Sequence, residues 1–285
     1  MSYPSDICRP IPSSETKHLA LLKYPLWPPI EGCSISDGIQ RVAHLNQNDD
    51  CRTSTGSTLW LSSQILSAYL LATLSKNMAR AKSRSLRAVE VGAGTALSYT
   101  VLATDIEPSL TQILLPNVRN WMEDNPSAGK ICTCQLDWNL EPDPQSICTA
   151  FSSDANLELT SDLNLPTESD GQARILTRQD GLATISIDLI VSADTVYTVE
   201  LIRPLLTTLT KLTTMSLKQP LIYIALERRD PNLVDSFFRI AVEMGFRATQ
   251  VEHNRLRKWV DSMGWIDGDW EAVEVWKLCM KQRRA

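Results

Sequence analysis

Leu86-Arg87-Ala88-Val89-Glu90-Val91-Gly92-Ala93-Gly94-Thr95 is the stretch that decides the fold. It begins as a short, largely apolar run and stops at two glycines one residue apart. A strand that ends this way turns sharply and lets the backbone approach a ligand. Two glycines alone also occur in ordinary turns, so their meaning depends on the neighbouring segments. Downstream, 99–104 reads as a second strand ending at Asp105. Pro108 then opens a helical period through Leu110, Ile113, Leu114, Val118, Trp121 and Met122, in which Pro116 predicts a kink. A third strand, 131–136, runs into Asp137-Trp138. Upstream, Ser57 or Thr58 caps a helix whose face is Leu59, Ile65, Leu66, Tyr69, Leu70 and Leu74.

The same grammar resumes near the C-terminus. Strand 187–191 leads into Ser192-Ala193-Asp194-Thr195-Val196-Tyr197, and Pro204 marks a helix start with Leu205, Leu209, Leu212 and Met215 on one face. Strand 221–226 ends at Glu227-Arg228-Arg229, a helix covers 232–244, and two closing strands lie at 247–251 and 273–280. Strands alternating with helices predict an α/β fold with a Rossmann-like, seven-stranded, mainly parallel sheet. The last two strands show little helical period between them and are expected as an antiparallel edge pair. Asp188 belongs near the open N-terminal end of its strand.

Two regions lack this regularity. Residues 1–50 read as an irregular N-terminal arm with room for a short hairpin, ahead of a single domain over 51–285. Residues 139–185, rich in Ser, Asp, Asn, Pro and Thr, read as a flexible insertion with a hairpin near 173–177.

Composition narrows the function. The 285 residues are 43% hydrophobic and 21% charged, as expected of a globular chain. The N-terminus carries no apolar run of the signal-peptide kind, and the most apolar stretch, 65–74, is interrupted by Ser67 and Thr73. A soluble protein of the cytoplasm or nucleus is the expectation. A net charge of −5 without a basic stripe argues against direct nucleic-acid binding. Seven cysteines without a ligand-like spacing and three scattered histidines predict reduced thiols and no metal.

In a doubly wound sheet, ligands bind beyond the carboxyl ends of the strands, where strand order reverses. Those ends offer Gly92 and Gly94, then Asp105, Asp137-Trp138, Asp194 with Tyr197, and Glu227. Asp105 suits a pair of ribose hydroxyls or a helix cap; Trp138 suits an adenine or a core; Asp194 also suits a cap. Their conjunction favours a nucleotide-type cofactor. Leu97 stands where a pyrophosphate site prefers a third glycine, which disfavours a dehydrogenase and suits a cofactor without phosphate.

These motifs resemble the seven-β-strand protein-lysine methyltransferases of methyltransferase family 16. Residues 89–95 resemble its first motif, Asp194-Thr195-Val196-Tyr197 its Asp-x-x-Tyr, Asp137-Trp138 its Asp-Trp, and Gly56 to Trp60 its Gly-x-x-x-Trp. Glu227-Arg228-Arg229 and Glu274-Val275-Trp276-Lys277 resemble the branch of methyltransferase-like protein 22. The resemblance covers roughly 50–280 and implies S-adenosylmethionine as cofactor and a lysine-bearing protein as substrate, with a monomeric enzyme. It implies cofactor contacts from Trp60, Glu90, Gly92, Gly94, Asp105, Trp138 and Ala193, with Asp194 and Tyr197 at the reacting amine. A methyltransferase-fold binding module without catalysis, or an N-methyltransferase of small molecules, remains the alternative. One departure is large. Only residues 95–99 separate Gly94 from the second strand, whereas a crossover with its helix takes roughly ten to twelve residues. The family's helix after the first strand is therefore expected to be missing, its flanking strands hard to pair in the usual register, and the cofactor pocket short of one wall, which puts the activity in question.

Overall fold

In the computed structural model of the chain, the described residues are 11–25, 42–48, 58–78, 87–92, 100–126, 129–152, 176–177, 183–262 and 270–281. In chain order they form α1 (Ser13–Thr16), β1 (Leu21–Pro25), β2 (Val42–Asn46), α2 (Leu61–Met78), β3 (Arg87–Val91), β4 (Thr100–Asp105), α3 (Leu115–Asp124), β5 (Ile131–Gln135) and α4 (Pro144–Ser152). After these come β6 (Leu176–Thr177), β7 (Ala183–Thr184), β8 (Leu189–Ala193), α5 (Val199–Met215), β9 (Leu221–Glu227), α6 (Pro231–Glu243), β10 (Phe246–Gln250), α7 (His253–Ser262) and β11 (Val273–Met280).

Seven strands make one sheet in the order β10-β11-β9-β8-β3-β4-β5. The five strands from β9 to β5 are mutually parallel, and β11 runs antiparallel to both β9 and β10. The expected edge pair is present, with β11 inserted inside β10. The chain leaves β3 toward β4 and β5, then returns to lay β8 on the other side of β3. Strand order reverses at that seam, so the site is expected at the carboxyl ends of β3 and β8.

Alternation along the strands divides the core into two layers. Val89 and Val91 of β3, Ile190 of β8 and Ile222 and Ile224 of β9 face α4, α5 and α6. Ala88, Leu189, Tyr223 and Ala225 face α2 and α7. Glu90 shares the second face with Ala88 and is buried there. Helices on both faces explain why β8 and β9 are nearly continuously apolar.

The short connection after β3 does not prevent pairing. Strands β3 and β4 run parallel from Arg87↔Thr100 to Val91↔Thr104, which corrects the expectation that they would be hard to register. The return path is roughly 17 Å, five residues of strand, and the eight residues 92–99 reach about 26–29 Å when extended. The glycine loop beyond Gly92, and with it the missing helix, lies outside the described residues.

Four helical readings change. The reading of 139–185 as irregular overlooks α4, which Asp143 caps by accepting the Gln145 and Ser146 amides; Pro144 stands in the first turn, where its missing N–H costs nothing. Ile147, Cys148 and Phe151 then bury one face. Farther along the same region β6 and β7 pair antiparallel. Helix α5 starts five residues before Pro204, with Thr198 as its cap accepting from the Glu200 amide. Helix α7 fills the interval before β11, packing Leu256 and Val260 beneath the sheet. The proline at 116 sits in the first turn of α3, after a π-helical turn over Leu110–Leu114, and so falls at the start of an α-helix instead of inside one.

The N-terminal arm is built, not loose, where it is described. Strands β1 and β2 form an antiparallel hairpin. Gln64 of α2 donates to the Ile11 carbonyl at 2.7 Å and accepts from the Ile11 amide at 2.9 Å. Leu22, Tyr24, Ala43 and Leu59 form a small core of their own. Asp230 caps α6 by accepting from the Asn232 and Leu233 amides at 3.0 and 3.2 Å. Asp230→Ala is expected to lower unfolding free energy by about 1 kcal/mol, read as a shifted urea midpoint with an unchanged slope.

Candidate active site

The carboxyl ends of β3, β4, β5, β8 and β9 form one rim, and at the β3–β8 seam the packing is tight. Gly92 has φ +76°, and a Cβ there would lie 2.7 Å from Cγ2 of Thr195 and 3.6 Å from Cζ2 of Trp138. Both the conformation and the space therefore require glycine. Thr195 is held in place by a 2.7 Å hydroxyl contact with Ser192, whose own hydroxyl donates to the Val91 carbonyl at 2.8 Å. Gly92 in turn donates its N–H to the Thr104 carbonyl at 3.2 Å. Trp138, Gly92 and Thr195, contributed by the ends of three strands, thus meet at one point.

Asp105 and Asp137 differ in what they do. Asp105 ends β4 half-buried, accepting the Ile106 amide at 2.8 Å, and burial pushes its carboxyl above the ordinary aspartate range. Its carbonyl accepts from Leu136, which pins the turn that delivers Trp138. Asp137 is spent on its own turn, accepting the Asn139 amide at 2.8 Å.

On the other side of Gly92, β8 ends at Ala193, half-buried and paired with Ala225. The next residue, Asp194, has φ +53°, a conformation an L residue adopts at a cost of about 1–3 kcal/mol. Its carboxylate accepts the Ser62 hydroxyl at 2.6 Å and the Glu227 amide at 3.2 Å, while its own amide donates to the Ala225 carbonyl at 2.9 Å. Three elements, α2, β8 and β9, converge on this one side chain. Burial pushes its carboxyl above the usual aspartate range; the Ser62 hydroxyl, the Arg229 guanidinium and the Glu227 amide oppose that rise without cancelling it.

Trp60 precedes α2, and the Arg229 guanidinium lies 4.6 Å from the centre of its ring. Arg229 also donates to the Glu227 carboxylate, its Nε at 2.9 Å. Tyr197, four residues past Ala193, is 44% exposed at the rim. Of the candidate residues, Trp60, Gly92, Trp138, Ala193 and Asp194 gather around the β3–β8 seam, with Glu90 buried one strand position below and Asp105 one strand over. Gly94 lies outside the described residues. The sequence patterns assign no role at the site to Ser62 or Arg229. The signal for Ser62 is the run Ser62-Ser63-Gln64 at the buried start of a helix, where each polar group requires a partner.

A family profile described as lysine methyltransferase, methyltransferase family 16, matches residues 40–163 and 159–243. The chain belongs to this family. It is a methyltransferase dependent on S-adenosylmethionine. Among solved structures the chain is similar to a methyltransferase from Pyrococcus furiosus (10% identity, 83% of this chain and 89% of that one, TM-score 0.39). It is also similar to a TehB-like SAM-dependent methyltransferase from Corynebacterium glutamicum (13%, 76% and 99%, 0.37) and to the glycopeptide N-methyltransferase MtfA (10%, 74% and 90%, 0.38). A search of curated proteins gave no match. Among the described residues no helix of this methyltransferase is long and apolar enough to cross a membrane.

Two measurements test the seam. Gly92→Ala forces a Cβ into Thr195 and strains the backbone, so calorimetric titration with S-adenosylmethionine should show affinity reduced by at least about tenfold. Ser62→Ala removes a bond to the charged form of Asp194, so the carboxyl should titrate at still higher pH, whereas Ser62→Thr, which keeps the hydroxyl, should hold it near the native midpoint. Carbon-13 titration of labelled aspartate carboxylates reads both; an unmoved midpoint in Ser62→Ala would refute the assignment.

Proposed function

We propose that this methyltransferase transfers its methyl group to the side-chain amine of a lysine in a protein. The observation that carries this reading is the Asp194 carboxylate, fixed in a left-handed turn at the seam of the sheet, with its oxygens aimed by Ser62 and the Glu227 amide.

The residues present fit the cofactor. A glycine whose Cα face has no room for a Cβ, a buried glutamate in β3, a half-buried aspartate on the next strand and an indole beyond the third offer acceptors for an ammonium and for ribose hydroxyls, and a flat apolar surface for adenine. Gly92 and Glu90 would hold its methionine part, Asp105 the ribose and Trp138 the adenine, with Trp60 closing the pocket and Ala193 lining it. When bound, S-adenosylmethionine supplies a methyl group activated on a sulfonium.

The chain's own contribution is alignment and charge. A neutral amine must approach in line, and most of the acceleration in such reactions comes from holding the partners in that geometry. Asp194 offers a fixed acceptor to the amine's N–H and offsets the positive charge that develops on nitrogen. Because its oxygens are already oriented, little reorganisation is needed as that charge appears. No base is required at this position, since water can take the proton before the amine reacts. Tyr197 stands at the mouth and shapes the approach.

The pH dependence comes from these signs. Asp194 acts as the carboxylate and its folded value is raised, so activity should fall with decreasing pH starting above the ordinary aspartate range. The need for a neutral amine adds a rise toward alkaline pH. For folding the sign is opposite: a raised carboxyl favours the folded state at low pH, and that contribution fades as pH climbs from the unfolded aspartate value through the folded one.

The test is incubation of the full chain with methyl-labelled cofactor and a cell lysate. A labelled protein band is expected, retained after acid hydrolysis as methyllysine and reduced roughly a hundredfold in Asp194→Asn. Label confined to small molecules, or absent while the cofactor still binds, overturns the reading in favour of a small-molecule enzyme or of a binding module respectively.

A further inference from the structure

Residue 228 points away from the seam into a second surface feature. An open groove of about 440 Å³ lies between α6 and the β10–β11 edge, with Phe238, Val242, Phe246, Ala248 and Trp276 on its floor. Ring contacts and hydrogen bonds tie that floor together. The rings of Phe238 and Trp276 are 4.0 Å apart. The Trp276 Nε1–H donates to Glu274 at 2.8 Å, and Arg228 grips the same carboxylate at 2.7 and 3.2 Å while reaching Asp235 at 2.9 Å. Those two carboxylates satisfy Arg228, and their hydrogen bonds hold its guanidinium above the ordinary arginine range. Val242 on the floor is nonetheless 55% exposed, an apolar side chain on a solvent-facing helix position.

The rim is where charge is left over. Arg247 and Lys281 line the groove, both exposed, and among the described residues neither forms an ion pair. The chain as a whole carries −5, so a place where three cations meet two carboxylates around an aromatic floor runs against the rest of the surface. Complementarity then favours an anionic occupant with an apolar anchor. Two such cations are too few for a nucleic-acid backbone, and the open, apolar floor suits a side chain more than a free anion.

We propose that this groove docks an acidic, apolar-anchored segment of the protein that carries the target lysine. The inference rests on the protein-lysine reading above. Backbone continuity links the two sites: Glu227 gives its amide to Asp194, and the very next residue, Arg228, lines the groove while its own N–H holds the Ala272 carbonyl. Trp276 stands opposite Ile224, three residues before Glu227 in β9, so a segment anchored between Phe238 and Trp276 runs toward the Arg228 end of the groove to reach the rim, while Arg247 and Lys281 hold its other end. Leucine or phenylalanine supplies the anchor, and flanking glutamates or aspartates meet Arg247 and Lys281.

The test uses the full chain and fluorescence anisotropy of a labelled peptide with a central Leu-Phe pair flanked by glutamates. A counterpart with lysines in place of glutamates serves as the comparison. Binding of the acidic peptide alone is expected, weakening with salt, and falling by about tenfold or more in the Arg247→Glu, Lys281→Glu double variant. Val242→Asp, a change at an exposed position, should remove it as well, while Lys258→Glu on α7 should leave it unchanged. No binding of the acidic peptide, equal binding of the basic one, or binding indifferent to the groove variants overturns the proposal. Calorimetric cofactor binding by each variant shows that it is folded. A missing methylated band with intact peptide binding would instead remove the lysine-substrate reading, and with it the assignment of the docked segment to a substrate, while the groove's binding of an acidic segment stands.

Discussion

The carboxylate of Asp194 sits where the start of helix α2 meets the ends of the paired strands β8 and β9, and it ties the three together. A left-handed turn places it there at a conformational cost, and burial adds a second cost by disfavouring its charge. Two donated hydrogen bonds oppose the second cost without cancelling it, one from Ser62 and one from the Glu227 amide. Because a bond to an ionised acceptor is among the stronger kinds, the start of α2 and the end of β9 are referenced to the same atom pair. The neighbouring knot, in which Gly92 packs against Thr195 and Trp138, extends that reference to β3 and to the loop after β5. The rim thus inherits its geometry from a few short contacts at the one place where the sheet changes direction.

Much of this is legible in the chain without coordinates. Strands β3, β8 and β9 announce themselves because a sheet covered on both faces needs nearly unbroken apolar runs, and their ends fall at Gly92, Asp194 and Glu227. The Asp-x-x-Tyr and Asp-Trp segments fix the same rim. What stays hidden has physical causes. Helix α4 begins at Pro144 inside a stretch of turn formers, and only the capping by Asp143 and the short face of Ile147, Cys148 and Phe151 reveal it. Helix α7 carries too many charges for its Leu256 and Val260 to stand out as a period. Ser62 is illegible because a serine near a helix start is ordinarily a local cap, and its partner lies 132 positions away. The parallel pairing of β3 with β4 across eight residues escapes a rule that equates crossovers with helices, although closing the loop needs only sufficient reach.

Membership of the lysine methyltransferase family and the carboxylate at the seam bear on different questions. Family membership brings the cofactor class. In the function proposed above, the fixed carboxylate would bear on which nucleophile is received, since an acceptor held beside a developing ammonium favours amines over hydroxyls or carbon. The two aspartates of the rim also divide labour by environment. Asp105 is half-buried with one backbone donor, free to take further hydroxyl partners, whereas Asp194 is committed to the lattice of the fold.

The bond pair between Gln64 and the Ile11 backbone has a consequence for how the molecule is put together. Gln64 stands two residues past Ser62 and four past Trp60, on the first turn of the same helix. Its amide completes, like the last stitch of a hem, a belt that runs from the N-terminal hairpin to the start of α2. If that belt is unpicked, a buried amide and the Tyr24 hydroxyl that it also accepts lose their partners together. The helix end that aims Ser62 then loses its outer support. Residues far from the glycine loop in sequence are, mechanically, part of the wall that keeps the rim at the strand ends in shape.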